Sequence, residues 1–222
     1  MNILIFGGTG SLGQETVENL RNKGHNVLVA SRQKSNAEQI QISESFEELK
    51  EIKFKIDAVA WFQGANINDS LSTSSEFMEI FEANVNFIIR SLNMLMKLDL
   101  LAKTSRLLII SSVWQRLSRK NKFSYSVSKS AIAGIIKSVT VDYGRKGITI
   151  NAILPGVIKN EMTLKNLSQD QIEKIESTTP LGKLVTPQEV ALIASWLLSP
   201  DSSGIAGQSI TIDNGWSDIR DI

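Results

Sequence analysis

The alternation of apolar and polar positions along the chain gives short β-branched runs separated by amphipathic stretches. Residues 3–6, 27–30, 58–62, 107–111, 149–153 and 209–212 read as buried strands, because short continuous apolar runs suit a sheet covered on both faces. Residues 12–23, 46–53, 76–101, 126–143 and 187–198 show the 3.6-residue period of helices with one packed face. Thr186-Pro187-Gln188-Glu189 marks a helix start with proline in its first turn. Strand and helix alternating from end to end predict a single-domain α/β fold. Its core is a doubly wound parallel sheet of the Rossmann type, since right-handed crossovers bring the chain back to one sheet. Between Arg32 and Asp57 there is room for one small strand, at 38–42, and one helix, so the second crossover is shortened. Residues 156–179 read as the one irregular stretch of size, too polar for core and longer than an ordinary connection, which predicts a mobile substrate lid. No repeat, linker or low-complexity tract divides the chain.

Two junctions in this pattern carry candidate chemistry. The first is Phe6-Gly7-Gly8-Thr9-Gly10-Ser11-Leu12-Gly13, which joins the first strand to the first helix. Glycines there let backbone approach a pyrophosphate, and the helix N-terminus offers unpaired N–H groups with partial positive charge. A tight turn with no ligand is the bland alternative. At the end of the second strand stands Ser31-Arg32, where many NAD-binding folds carry an acid for the ribose hydroxyls. An acid repels a 2′-phosphate and Arg32 attracts one, so NADP(H) is favoured over NAD(H), the alternative being a solvated surface arginine.

The second junction is Ser124-Tyr125-Ser126-Val127-Ser128-Lys129, which opens a helix. The i, i+4 spacing puts Tyr125 and Lys129 on one face, where a fixed ammonium favours phenolate and draws the phenol pKa down towards a useful range. Chance also supplies such a pair, so its surroundings must support it. The strand at 107–111 ends in Ser111-Ser112, thirteen residues before Tyr125, and active sites of open parallel sheets lie beyond the carboxyl ends of their strands. Ser112 there could hold a carbonyl oxygen beside the tyrosine.

Together these motifs resemble the short-chain dehydrogenase/reductase family over residues 1–216. The glycine turn, the Tyr-x-x-x-Lys pair, the upstream serine, Asn151-Ala152-Ile153-Leu154-Pro155-Gly156 after a strand, and the tail Gly207-Gln208-Ser209-Ile210-Thr211-Ile212-Asp213-Asn214-Gly215 follow the family's order. The length and tail are those of classical members and look most like 3-oxoacyl carrier-protein reductases. The resemblance implies a catalytic set of Asn84, Ser112, Tyr125 and Lys129, with Asn84 supporting a water that links Lys129 to solvent. It also implies cofactor contacts from Gly7, Thr9, Gly10, Ser11, Leu12 and Gly13, from Ser31 and Arg32, from Gln63, Gly64 and Ala65, from Tyr125 and Lys129, and from Pro155, Gly156 and Ile158. The sequence departs from the family pattern in several places: the glycines at 7, 10 and 13 follow the spacing of extended members and polyketide-type ketoreductases, Phe62-Gln63-Gly64 stands where Asn-Ala-Gly is common, Gln41 replaces an aspartate that holds adenine, and Asn160 stands where a threonine is frequent. A homotetramer or homodimer built on the helices at 76–101 and 126–143 is a further implication.

Composition narrows the alternatives. The 24 basic and 23 acidic side chains leave a net charge of +1, so the overall field gives no reason to expect nucleic acid or an acidic membrane as partner. The absence of cysteine excludes thiolate chemistry, and the single histidine, His25, reads as a turn residue, so no metal site is expected. The apolar start lacks a basic flank and no run is long enough to span a bilayer, which predicts a cytoplasmic protein. The expected substrate is a small carbonyl or alcohol. Arg116, Arg119, Lys120 and Lys122 between Ser112 and Tyr125 would suit a thioester- or nucleotide-linked one, whereas Trp114, Leu117 and Phe123 would suit an apolar ketone. A cofactor-binding regulator or scaffold without turnover is the rival from another functional class.

Overall fold

In the computed structural model of the chain, residues 1–32 and 38–219 are described. Their strands are β1 (Asn2–Phe6), β2 (Asn26–Ser31), β3 (Gln39–Gln41), β4 (Ile56–Trp61), β5 (Leu101–Ile110), β6 (Thr149–Pro155) and β7 (Ser209–Ile212). They form one sheet in the order β3-β2-β1-β4-β5-β6-β7, with every neighbouring pair parallel. The doubly wound sheet is therefore as expected. Its apolar runs are continuous because side chains alternate between two buried faces. Leu4 and Phe6 join one core with Val59, Trp61 and Leu107, while Ile3 and Ile5 join the other with Val29, Ala60 and Leu108. Trp61 lies fully buried and stacks on Phe6 at 5.8 Å, and its indole N–H is satisfied by Ser91 Oγ at 2.9 Å.

The helices are α1 (Ser11–Asn22), α2 (Phe77–Phe81), α3 (Phe87–Lys97), α4 (Phe123–Tyr143), α5 (Glu161–Asn166), α6 (Gln169–Ser177) and α7 (Pro187–Leu197). The start of α7 has a complete capping box, with Thr186 Oγ1 accepting the Glu189 N–H and the Glu189 carboxylate accepting the Thr186 N–H. Three expectations need correction. The helix at 46–53 is a short 3-10 segment (Glu47–Glu51), because Phe46 takes a left-handed backbone (φ 58°) to pack its ring edge-on against Phe6 and Phe87. The single helix at 76–101 is interrupted by a π-helical turn (Glu82–Asn86), and β5 already begins at Leu101. The segment 156–179 is not irregular, since α5 and α6 lie within it, each with a side-chain N-cap from Asn160 and Ser168.

The small strand of the shortened second crossover is present as β3, with residues 33–37 just before it lying outside those described. Strand order reverses between β1 and β4, and the crevice beyond their carboxyl ends is where open α/β sheets hold ligands. Among the described residues no helix is long and apolar enough to cross a membrane.

Candidate active site

At the end of β1 the glycine turn wraps close to the loop after β4. Gly7 has φ +75°, and a Cβ on it would sit 2.4 Å from Gln63 N, so no side chain fits there. Gly13 is equally restricted, because its Cβ would lie 2.4 Å from Gly7 O. Gly10 differs: the nearest atom to a Cβ there is Gly7 O at 3.8 Å, so space lies open over it. Gly10 is also the N-cap of α1, without a side-chain cap or an acid in the first turn. Two glycines thus let the turn fold, and the third faces open space beside uncapped helical N–H groups, a cradle that fits a pyrophosphate. The Gln63 side-chain amide has both polar atoms buried without a partner among the described residues, as expected for a group completed by a ligand.

Asn160, the residue standing where the family has threonine, reaches this cradle. Its Nδ2 donates to Ser11 Oγ at 3.3 Å while its Oδ1 caps α5 through the Thr163 N–H at 2.9 Å. Gly156 is fixed by another close approach, since a Cβ there would lie 2.8 Å from Asp213 Cβ in the loop after β7. Ile158 is held by a parallel bridge to Val185, and Pro155 ends β6. Arg32 is exposed just beyond β2, and Gln41 pairs in register with Ser31 at the end of β3.

Asn84, Ser112, Tyr125 and Lys129 converge beyond the ends of β4 and β5. Ser112 lies two residues past the end of β5 and caps the next turn by accepting the Trp114 N–H at 3.4 Å. Its hydroxyl is also near enough to the Tyr125 phenol to pull the phenol pKa down. Lys129 is 4% exposed and donates to Ile110 O at 3.1 Å, with its Nζ 5.6 Å from the centroid of the Tyr125 ring. Among the described residues no carboxylate lies within ion-pair distance of it. Burial alone pushes the Lys129 ammonium down to about 8, and burial also raises the Tyr125 phenol above its usual range, with the Ser112 hydroxyl pulling it back. Desolvation therefore outweighs the expected downward pull on the phenol, and Tyr125 holds its proton at neutral pH.

Asn84 lies on the π-helical turn, a local widening that sets its amide facing the loop after β4. Its Oδ1 accepts the Ala65 N–H at 2.8 Å, and its Nδ2 donates to Ala65 O and to Ser128 Oγ, both at 2.9 Å. The amide is thus committed to protein partners and staples the loop carrying Gln63, Gly64 and Ala65 to the helix carrying Tyr125. Asp69 adds a second staple that sequence reasoning missed. Its Oδ1 caps α4 by accepting the Ser124 N–H at 3.0 Å, and its Oδ2 accepts the Ser124 hydroxyl. The only sequence signal for it was an isolated acid ahead of a helix more than fifty positions away.

The four cations between Ser112 and Tyr125 do not share one rim. Arg116 turns back to β7, donating to Ser209 O at 2.8 Å, and Arg119 lies over the Trp114 ring at 5.9 Å. Arg119, Lys120 and Lys122 border a 460 Å³ cleft together with Asp69 and Phe123. Trp114 meets Trp216 edge to face at 5.9 Å, forming an aromatic wall next to Ser112. Phe123 instead packs with Phe77 at 6.0 Å.

Residues 40–217 match the family profile described as enoyl-(acyl carrier protein) reductase. A 3-oxoacyl-(acyl-carrier-protein) reductase of Buchnera aphidicola subsp. Schizaphis graminum is 27% identical over 233 residues, covering 96% of this chain and 95% of that protein. A short chain dehydrogenase family protein from Francisella tularensis superposes with a TM-score of 0.86 at 24% identity, over 98% of this chain and 99% of that one. A variant of actinorhodin polyketide ketoreductase with NADPH also gives 0.86, at 20% identity, over 98% and 97% of the two chains.

Proposed function

The chain belongs to the short-chain dehydrogenase/reductase family of oxidoreductases, and from that premise we propose that it interconverts a ketone and a secondary alcohol with NADP(H), Tyr125 acting as acid and base. The observation that carries this reading is the Tyr125 ring with the buried Lys129 ammonium 5.6 Å from its centroid and Ser112 acting on its phenol, beside an open glycine cradle.

When bound, the nicotinamide supplies or accepts the hydride. The backbone of Gly7, Thr9, Gly10, Ser11, Leu12 and Gly13 would hold the pyrophosphate, Ser31 and Arg32 the 2′-phosphate, and Gln63, Gly64 and Ala65 the adenosine ribose. Among the described residues Lys129 has one acceptor for three N–H donors, which leaves donors for the nicotinamide ribose and for Tyr125. Pro155, Gly156 and Ile158 would border the nicotinamide itself.

In reduction, Ser112 orients the carbonyl oxygen and Tyr125 gives its proton to the oxygen as negative charge develops there. Burial suits this direction, because it keeps the phenol protonated at neutral pH. Lys129 stabilises the phenolate left behind, so the ammonium works on charge that appears during the reaction. In oxidation the same tyrosine removes the alcohol proton. The 3-oxoacyl-(acyl-carrier-protein) reductase relative makes a 3-oxoacyl thioester the first substrate to test, and the Trp114–Trp216 wall makes apolar and cyclic ketones the second.

NADPH and NADH oxidation with acyl thioesters, sugar nucleotides and small ketones tests the reading, with Tyr125→Phe in parallel. The expected result is a loss of about 100-fold or more in kcat for Tyr125→Phe with cofactor affinity retained. Binding of NADPH by both proteins with turnover by neither would replace this reading by that of a cofactor-binding regulator.

A further inference from the structure

Lys122 belongs to the run Arg119-Lys120-Asn121-Lys122, which reads as a solvated loop, yet it is only 5% exposed. Its Nζ turns inward to donate to Asn66 Oδ1 at 2.5 Å and to Ile67 O at 3.3 Å, and lies 5.3 Å from the centroid of the Tyr125 ring. No carboxylate among the described residues lies within ion-pair distance of it. Asp69 is the acid that favours its charge, but both Asp69 oxygens are taken up by Ser124, while Arg119 opposes it. Burying an ammonium without an ion pair is costly, and a lysine free to reach solvent would do so.

The register explains what the buried charge faces. Lys129 stands at i+4 from Tyr125 within α4, and Lys122 is the residue just before the helix, so both ammonium groups lie beside the tyrosine ring, at 5.6 and 5.3 Å from its centroid. One loop covers both lysines. Asn66 and Ile67 are held by Lys122, while a Cβ on Gly64 would lie 3.5 Å from Lys129 Nζ.

We propose that Lys122 is a positioning residue for Tyr125, a second ammonium that stabilises negative charge on the phenol oxygen and ties the loop at 64–67 to the tyrosine. The proposal rests on Tyr125 being the proton donor. As the Tyr125 O–H bond breaks and its proton moves to the substrate oxygen, the electron pair stays on the phenolate oxygen, and two cations beside the ring hold it there. Burial, with Arg119 second, brings the Lys122 ammonium down to about 8, so its help fades in alkali. A unit positive charge at this range favours the phenolate and draws the phenol down.

Only Tyr125 and Tyr143 are tyrosines, so in a Tyr143→Phe background phenolate absorbance reports Tyr125 alone. Lys122→Arg and Lys122→Met are compared with that parent at pH 10.5, with circular dichroism to verify the fold. Native Lys122 has largely lost its proton at that pH and arginine has not. Lys122→Arg should therefore raise the phenolate fraction several-fold, and Lys122→Met should not. In ketone reduction at pH 7, Lys122→Met should lower kcat about 10-fold or more with the KM for NADPH little changed, and Lys122→Arg should restore most of the loss. Equal phenolate fractions in all three proteins, or a Lys122→Met kcat within two-fold of the parent, would overturn the proposal. The absorbance measurement needs no substrate, so it decides the role of Lys122 even if the assignment of Tyr125 as proton donor fails.

Discussion

Replacing Lys129 by methionine is expected to stabilise the protein at neutral pH. The ammonium is 4% exposed, lacks an ion pair among the described residues, and is brought by burial from 10.5 to about 8. The unfolded chain keeps this proton up to about pH 10.5, whereas the folded protein releases it near 8. Between those values unfolding takes up a proton, so stability rises with pH across the window, and below pH 8 the folded state bears the full cost of the buried charge. A shift of this size corresponds to about 3 kcal/mol. Methionine keeps an unbranched side chain one atom shorter and removes that cost, but it also removes the hydrogen bond to Ile110 O at 3.1 Å, worth about 1 kcal/mol. The net gain at pH 7 is on the order of 1–3 kcal/mol, accompanied by loss of turnover. Urea denaturation at pH 7 and pH 10 checks it. The advantage of the variant should shrink as pH rises, and because Lys122 is present in both proteins its own titration cancels in the comparison. A variant less stable than the parent at pH 7, or a difference independent of pH, would refute the reasoning.

The glycine turn offers a paired test. Gly13→Ala puts a Cβ 2.4 Å from Gly7 O, so the backbone must move, and a loss of about 1–3 kcal/mol in thermal or urea denaturation is expected. Gly10→Ala meets nothing closer than 3.8 Å, so stability should fall by about 1 kcal/mol or less while NADPH affinity, followed by cofactor fluorescence, drops about 10-fold or more. Unchanged affinity in Gly10→Ala would remove this turn from cofactor binding. Arg32→Asp should move preference from NADPH towards NADH in the ratio of kcat/KM values, by about 10-fold or more, because the acid repels a 2′-phosphate and accepts ribose hydroxyls. Equal loss with both cofactors would take Arg32 out of the specificity argument.

What was legible in the sequence, and what was not, divides by the range of the forces involved. The strands at 3–6 and 27–30 could be read because a strand buried on both faces needs only its own apolar run, whichever neighbours it acquires. Tyr125 and Lys129 could be read because four residues of helix fix their geometry locally. The interruption of the helix at 76–101 could not. Its π-helical turn serves an amide that must meet Ala65 and Ser128, partners 19 and 44 positions away, and no local period records that demand. Phe46 likewise gives up a helical conformation for an aromatic cluster assembled from β1 and α3.

Lys122 is the sharpest case, because composition pointed the wrong way. In a run of three cations the ordinary expectation is a solvated face, and Arg119 and Lys120 do remain exposed. Lys122 turns inward because acceptors at Asn66 and Ile67, 56 and 55 positions earlier, meet it beside the Tyr125 ring. A residue whose placement costs stability and whose partners are distant leaves no periodic trace, so it becomes visible only once the loop after β4 is seen lying across the start of α4. Asp69 belongs to the same group, being an acid buried to cap α4. Asn84, Asp69 and Lys122 all bind the loop at 64–69 to the start of the tyrosine helix, so the chemistry-bearing side chains rest on a contact stapled by buried polar groups. Such a contact fixes geometry more than it adds stability, because each buried group mainly recovers its own desolvation cost.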